Sequence, residues 1–335
     1  MSDTKLVLHA PRPIGERPLA IERAERAEPG RGEIAIAVQA CAVCRTDLQI
    51  VEGDLAARRL PIVPGHQVVG AVEAIGEGVE GWRIGDRAGM GWLAWACGVC
   101  IQCKRGRENL CEKARFTGWD VDGGYATRAI VNASFAFHLP DGADPVELAP
   151  LLCGGVIGLR SLHRAGIRPG DRVGLYGFGA SALLALQIAR HWGCRVFVAT
   201  RSATERERAK HMGAEWAGGY DDAPPEPLDA CVTFAPSGDV VIAALRATAR
   251  GGTVAINAIH LDRIPQFSYD LLWLERNIVS VANYTREDAR ELLRLAAEIP
   301  LRTRFDRFAL TDANVALERL REGKIGGSAV LVVGS

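Results

Sequence analysis

Residues 173 to 182 read VGLYGFGASA, an apolar run that turns on Gly177 and Gly179 and continues into helix-forming alanines. The glycines hold the first two positions of a G-x-G-x-x-G turn, and Ala182 holds the third. Context strengthens the match. Arg172 to Tyr176 has the composition of a strand and residues 180 to 192 carry a helical pattern. In that setting Gly177 permits a tight turn, Gly179 lets a pyrophosphate approach the backbone, and Ala182 lets the helix pack on the sheet. The free N–H groups around Phe178, Gly179, Ala180 and Ser181 would face the phosphates. Judged alone, an ordinary glycine-rich connection in an α/β domain would look similar.

The same rhythm continues downstream. Arg195 to Thr200, a helical stretch over 204–212, then Asp229 to Phe234 and Thr253 to Ile256 alternate strand and helix, which implies parallel strands with crossover helices. The segment Ala223 to Pro227 reads as a surface loop before a strand. Upstream, from about 30 to 140, short β-like runs such as Glu33 to Ala40 and Val68 to Ile75 are broken by turn signals such as Gly85-Asp86. After Ile278 to Ala282 come amphipathic helical stretches near 286–298 and 312–322 and a last strand, Ala329 to Val333, which would rejoin the first domain. The expected fold class is α/β: a largely β domain over 1–150 and 287–335, and a doubly wound parallel sheet over 151–286.

The end of the second strand bears on the cofactor. A carboxylate there bonds the adenosine ribose 2′-OH and repels a 2′-phosphate. This chain has Thr200, Arg201 and Ser202 instead, two hydroxyls and a guanidinium suited to holding a phosphate. NADP(H) is favoured. NAD(H) stays open, because Arg201 stacked on adenine would serve either.

The nine cysteines and the lack of a secretion signal argue for reduced thiols and metal binding over disulfides. Cys97, Cys100, Cys103 and Cys111 have C-x2-C-x2-C-x7-C spacing, which saturates a tetrahedral zinc and stabilises a loop. Lys104, Arg105 and Arg107 could offset the charge of four thiolates, or simply be a solvated basic loop. Cys44, His66 and Cys153 stand apart, each on its own as well read as core packing. Cys41, Cys194 and Cys231 lie among apolar neighbours and are assigned no chemistry.

Composition narrows the classes. Lys plus Arg equals Asp plus Glu at 40 each, so no global field draws the chain to nucleic acid or to an anionic membrane. The first ten residues lack an apolar core, and no run of about 18 uninterrupted apolar residues follows. The expectation is a cytoplasmic enzyme with neither partner.

Taken in order, Cys44, Gly65-His66 with Gly70, Gly76 and Val79, the Gly85-Asp86-Arg87 turn, the cysteine quartet, Cys153, the glycine turn and the late Gly323-Lys324 resemble the zinc-dependent alcohol dehydrogenases of the medium-chain dehydrogenase/reductase superfamily, over nearly the whole chain. The resemblance implies a GroES-like catalytic domain, closed by the C-terminal segment, around a Rossmann domain. It implies two zinc ions per chain. Cys44, His66 and Cys153 would ligate the catalytic one, leaving a fourth position for substrate, and the quartet the structural one. Asp47 matches the carboxylate that orients the histidine ligand, and Thr46 the hydroxyl that begins proton release. Arg45 and Arg286 match phosphate contacts, and Trp92 and Leu55 match the substrate pocket.

Two positions depart from the family pattern. Gln67 stands where many relatives carry Glu, and Gln49 where some carry a relay histidine. The implied activity is reversible hydride transfer between a primary alcohol, or its aldehyde, and NAD(P), in a homodimer or homotetramer. A zinc polyol or sugar dehydrogenase of the same superfamily is one alternative. A non-catalytic zinc and nucleotide binding protein is another.

Overall fold

The strand Glu33–Val43, EIAIAVQACAV, is half β-branched or apolar at every buried position, and it forms the spine of the first sheet. The computed structural model describes residues 2–258, 261 and 263–334. Among these, the chain divides into two compact units: 1–153 with 284–297 and 303–335, and 154–283 with 298–302.

In the first unit Glu33–Val43 pairs antiparallel with Val68–Ile75, with Arg128–Asn132 and with the last strand, Ser328–Val332. Phe305–Ala309 then adds parallel to the last strand, so the chain end does return to this unit. Ile34, Ile36, Val68, Met90, Ala329 and Leu331 are buried in its core. Helix α1 (Arg45–Glu52) follows the spine directly and stops at Gly53. Asp47 reaches back from the third position of that helix to accept a hydrogen bond from the Cys44 N–H at 2.8 Å, which fixes the strand-to-helix turn.

The second unit holds six parallel strands: β1 (Arg172–Tyr176), β2 (Arg195–Ala199), β3 (Trp216–Gly218), β4 (Leu228–Thr233), β5 (Thr248–Ile256) and β6 (Asn277–Ser280). They lie in the order β3-β2-β1-β4-β5-β6. This is the doubly wound Rossmann order, whose winding reverses between β1 and β4. Helix α2 (Ala180–His191) follows β1 and buries Ala182, Leu183, Leu184 and Ala185 on the sheet. Helix α3 (Ala203–His211) follows β2 and is polar apart from buried Ala209.

Helical residues Pro145–Arg164 are long and apolar enough to cross a membrane by length and composition, but 67% of that window is buried within the protein. Burial on that scale is the pattern of a core helix.

Candidate active site and metal centres

Three segments deliver the dispersed ligand candidates of the first unit. Cys44 ends the spine strand, His66 follows the turn at Gly65, and Cys153 follows the 3-10 turn Ala149–Leu152. The structure brings one ligand atom of each to within 4.8 Å of the other two. His66 is 1% exposed.

Asp47, wholly buried, organises the cluster. Its Oδ1 accepts from His66 Nδ1 at 2.9 Å and from the Gly65 N–H at 3.2 Å, while Oδ2 accepts from the Cys44 N–H. Holding Nδ1 leaves Nε2 as the ring nitrogen for a metal. Burial works against the His66 imidazolium, yet the charge and hydrogen bond of Asp47, helped by Cys44, raise its pKa to about 10. Cys44 is held well below an ordinary thiol, first by a hydrogen bond from Cys153 and, against the effect of burial, by His66. Cys153 is pushed up by the same shared proton and by burial. Two sulfurs and an imidazole that compete for protons in this way form a donor set suited to zinc, and taking up the metal displaces those protons.

Gly65 has φ +96°, and a Cβ there would lie 2.3 Å from Cδ1 of Tyr125. Only glycine allows this turn beside that ring. Tyr125, itself fully buried, donates its hydroxyl to Asp47 Oδ2 at 3.2 Å.

Thr46 is buried with its Oγ1 3.8 Å from Cys44 Sγ. Gln67 is buried and donates Nε2 to the Ala42 carbonyl at 3.3 Å, a tie to the spine strand. Trp92 presents its ring edge-on to His66, with centroids 4.9 Å apart, and Leu55 packs half-buried against the core. Behind Trp92 the stack continues to Phe116 at 5.2 Å and Trp119 at 5.9 Å, and the Arg58 guanidinium lies 3.7 Å above Trp119. Sequence reading missed Phe116, Trp119 and Arg58, whose alignment arises only in the fold.

The quartet sulfurs also lie within 4.8 Å of one another. Here the donors point inward from one loop. The N–H groups of Cys97, Cys100 and Cys103 donate to the sulfurs of Cys111, Cys97 and Cys100 at 3.4–3.5 Å. Backbone hydrogen bonds from Val99 and Cys100 are the main reason that Cys97 falls to about 6. Lys104, Arg105 and Arg107 are all exposed, while the amides of the loop donate to the sulfurs.

Arg286, expected at a phosphate, makes several contacts within the first unit. Its backbone N–H and Nε both donate to Glu108 Oε1, at 3.0 and 3.2 Å, and Nη1 donates to the Ser134 carbonyl at 3.1 Å. Its guanidinium also covers the Phe135 ring at 4.5 Å. Those contacts tie α4 (Arg286–Glu298) to the quartet loop. Arg45 is exposed at the start of α1.

In the second unit Gly177 has φ +94° and turns the chain between β1 and α2. Gly179 precedes the first residue of α2 with no side chain capping the helix, and a Cβ there would meet nothing within 4 Å. That open space over uncapped N–H groups suits a pyrophosphate. Phe178 buries its ring in the core, which leaves only its backbone at the turn, while Ala180 and Ser181 begin the helix half-exposed. Thr200 is buried, and Arg201 is exposed. The Ser202 hydroxyl accepts from the Glu205 N–H at 3.2 Å as the cap of α3. Two residues were missed here. Arg206 Nη1 donates to the carbonyls of Thr200 and Arg201 at 2.9 and 3.1 Å, and the Tyr220 phenol beside Thr200 has its pKa raised by burial.

Known proteins match along the whole length. The family model of the alcohol dehydrogenase GroES-like domain covers residues 30–141, and that of the zinc-binding dehydrogenase covers 182–298. A Mycobacterium tuberculosis protein named "Probable alcohol dehydrogenase AdhA" is 46% identical over 329 residues, covering 96% of this chain and 95% of the relative. An alcohol dehydrogenase of Geobacillus stearothermophilus is 34% identical, over 94% of this chain and 96% of its own. Among solved structures, a cobalt and zinc bound thermostable alcohol dehydrogenase from Pyrobaculum aerophilum superposes with a TM-score of 0.89 at 27% identity, over 99% of this chain and 100% of that one.

Proposed function

Since the chain belongs to the zinc-dependent alcohol dehydrogenases of the medium-chain dehydrogenase/reductase superfamily, we propose that it interconverts primary alcohols and aldehydes with NADP(H), using one zinc at Cys44, His66 and Cys153. The observation that carries this reading is the three-donor cluster backed by the buried Asp47. Three protein ligands leave one coordination position for a substrate oxygen, whereas four close the site. When bound, zinc supplies Lewis acidity toward that oxygen and the nicotinamide supplies or accepts hydride.

The protein's own groups do the rest. Asp47 keeps the His66 ring turned so that Nε2 meets the metal. Thr46 Oγ1, beside Cys44, would accept the hydroxyl proton and pass it toward solvent, with Gln49 standing where a histidine would carry it further. Trp92, Phe116 and Trp119 form a flat apolar wall, and with the smaller Leu55 they suit aromatic or medium-length substrates.

The quartet holds a second, structural zinc. Gly177, Gly179 and the start of α2 bind the pyrophosphate. Thr200, Arg201, Arg206 and Tyr220 collect hydroxyls and guanidinium charge at the end of β2, where no carboxylate stands, which supports NADP(H) over NAD(H). The first unit is the catalytic domain and the second carries the cofactor. The enzyme works in the cytoplasm as a homo-oligomer.

A panel of primary alcohols and aldehydes, assayed with both cofactors and paired with metal analysis, tests this reading. It expects two zinc per chain and activity that is lost from Cys153→Ser. Turnover by Cys153→Ser at the wild-type rate would refute the metal assignment. In the same assay Thr200→Asp should shift the NADPH/NADH efficiency ratio toward NADH by roughly 10–100-fold, the scale of a like-charge contact of one to three kcal/mol. An unchanged ratio would refute the 2′-phosphate site.

A further inference from the structure

We propose that Tyr125 is a positioning residue of the dispersed metal centre, acting through Asp47; this rests on the reading of Cys44, His66 and Cys153 as metal ligands. The argument begins with the carboxylate. Asp47 has no exposed surface, so its charge depends wholly on the donors around it. Each oxygen receives two. Oδ1 takes His66 Nδ1 and the Gly65 N–H, and Oδ2 takes the Cys44 N–H and the Tyr125 hydroxyl. Three of these four donors belong to the metal ligands or to the residue before one.

Tyr125 is the fourth, and it comes from a different part of the chain. It too is fully buried, and Asp47 is the acceptor that satisfies its hydroxyl. The ring has little room to shift. Its backbone N–H donates to Pro64 at 3.0 Å and its carbonyl accepts from Leu6 at 2.9 Å, while the ring fills the space left by the missing side chain of Gly65. One residue therefore braces the backbone that presents His66 and restrains the carboxylate that orients its ring. Removing the hydroxyl leaves Oδ2 one donor short and lets Asp47 rotate toward the Cys44 amide, away from the geometry that aims His66 Nε2. Losing a partner of this kind typically lowers metal affinity by about 10–100-fold.

The test uses full-length zinc-loaded protein challenged with a chromogenic chelator, following the two phases of zinc release. The phase missing in Cys153→Ser belongs to the dispersed site, and the phase missing in Cys103→Ser belongs to the quartet. Tyr125→Phe keeps the ring, and it should speed the dispersed-site phase about tenfold while the quartet phase and the melting temperature stay at wild-type values. Wild-type release in both phases, or acceleration of both together with a lower melting temperature, would overturn the proposal. A second measurement tests the route. If Tyr125 acts through Asp47, the double variant Asp47→Asn/Tyr125→Phe releases zinc no faster than Asp47→Asn alone; additive rates would count against it. Should Cys153→Ser release zinc in the same two phases as wild type, the ligand reading itself fails, whatever Tyr125→Phe does.

Discussion

The two cysteine-containing clusters of the first unit differ in how far apart their ligands lie along the chain and in what surrounds them. The quartet is made by fifteen consecutive residues, with its cations and Val99 and Ile101 exposed and its amides turned to the sulfurs. The dispersed cluster draws Cys44, His66 and Cys153 from three segments and closes a buried carboxylate behind them. A local loop can saturate an ion by itself. A site that keeps a position open needs the rest of the fold to stop its ligands from collapsing onto a metal, and Asp47, Gly65 and Tyr125 are the residues packed and hydrogen-bonded around this one.

If this contrast is sound, removing a ligand has opposite consequences at the two places. Cys153→Ser, which keeps the donors of Asp47 in place, should lower kcat/KM by at least about 10³-fold, the worth of several kcal/mol of charge stabilisation, and leave the melting temperature close to wild type. A steady-state assay with a parallel thermal melt checks both. Cys103→Ser should do the reverse. It loses one zinc per chain and on the order of 4 kcal/mol of stability, read by metal analysis and denaturant unfolding, while hydride transfer by the molecules that remain folded is little changed. A Cys103→Ser protein with full zinc content and wild-type stability would erase the distinction.

Much of this was legible beforehand because it is local. The glycine turn, the quartet spacing and the strands flanking Gly177 are encoded within windows of about a dozen residues, and β1 falls at Arg172–Tyr176 as its composition predicts. The parallel sheet likewise follows from strand and helix alternation, although its strand order does not. What stayed hidden is long-range. Nothing near Tyr125 in the sequence announces a bond to Asp47, and nothing near Arg286 announces Glu108, which lies on the quartet loop. The resemblance to relatives gives Arg286 a phosphate contact, but it does not disclose the Glu108 pairing that the fold adds. Phe178 was similarly ambiguous: a residue inside a binding turn can face the core.

The Glu108–Arg286 pair offers a finer test of how self-sufficient the quartet is. Burial opposes the charge of Glu108, but backbone N–H groups and Arg286 hold its carboxyl below the ordinary range, so it is ionised at neutral pH. Glu108→Gln should cost about 1–3 kcal/mol, as expected for a partly buried charged hydrogen bond, measured by urea unfolding with the zinc content unchanged. Loss of zinc in that variant would show that the loop leans on α4 to keep its metal. The smallest effect belongs to the exposed cations. Neutralising them together in Lys104→Gln/Arg105→Gln/Arg107→Gln should alter stability by no more than about 0.5 kcal/mol. A larger loss, with zinc released to a weak chelator, would return the charge-balancing part to those side chains.

The strand that delivers Cys44 is hydrogen-bonded along one edge to Ser328–Val332, among the last residues of the chain. On the ribosome, the quartet is in hand once Cys111 has emerged, and the six-stranded unit can close soon after β6. The spine strand must wait for the final strand before its sheet is complete. The strand before the first of the three ligand candidates therefore has its finished surroundings only once the strand Ser328–Val332 has been made.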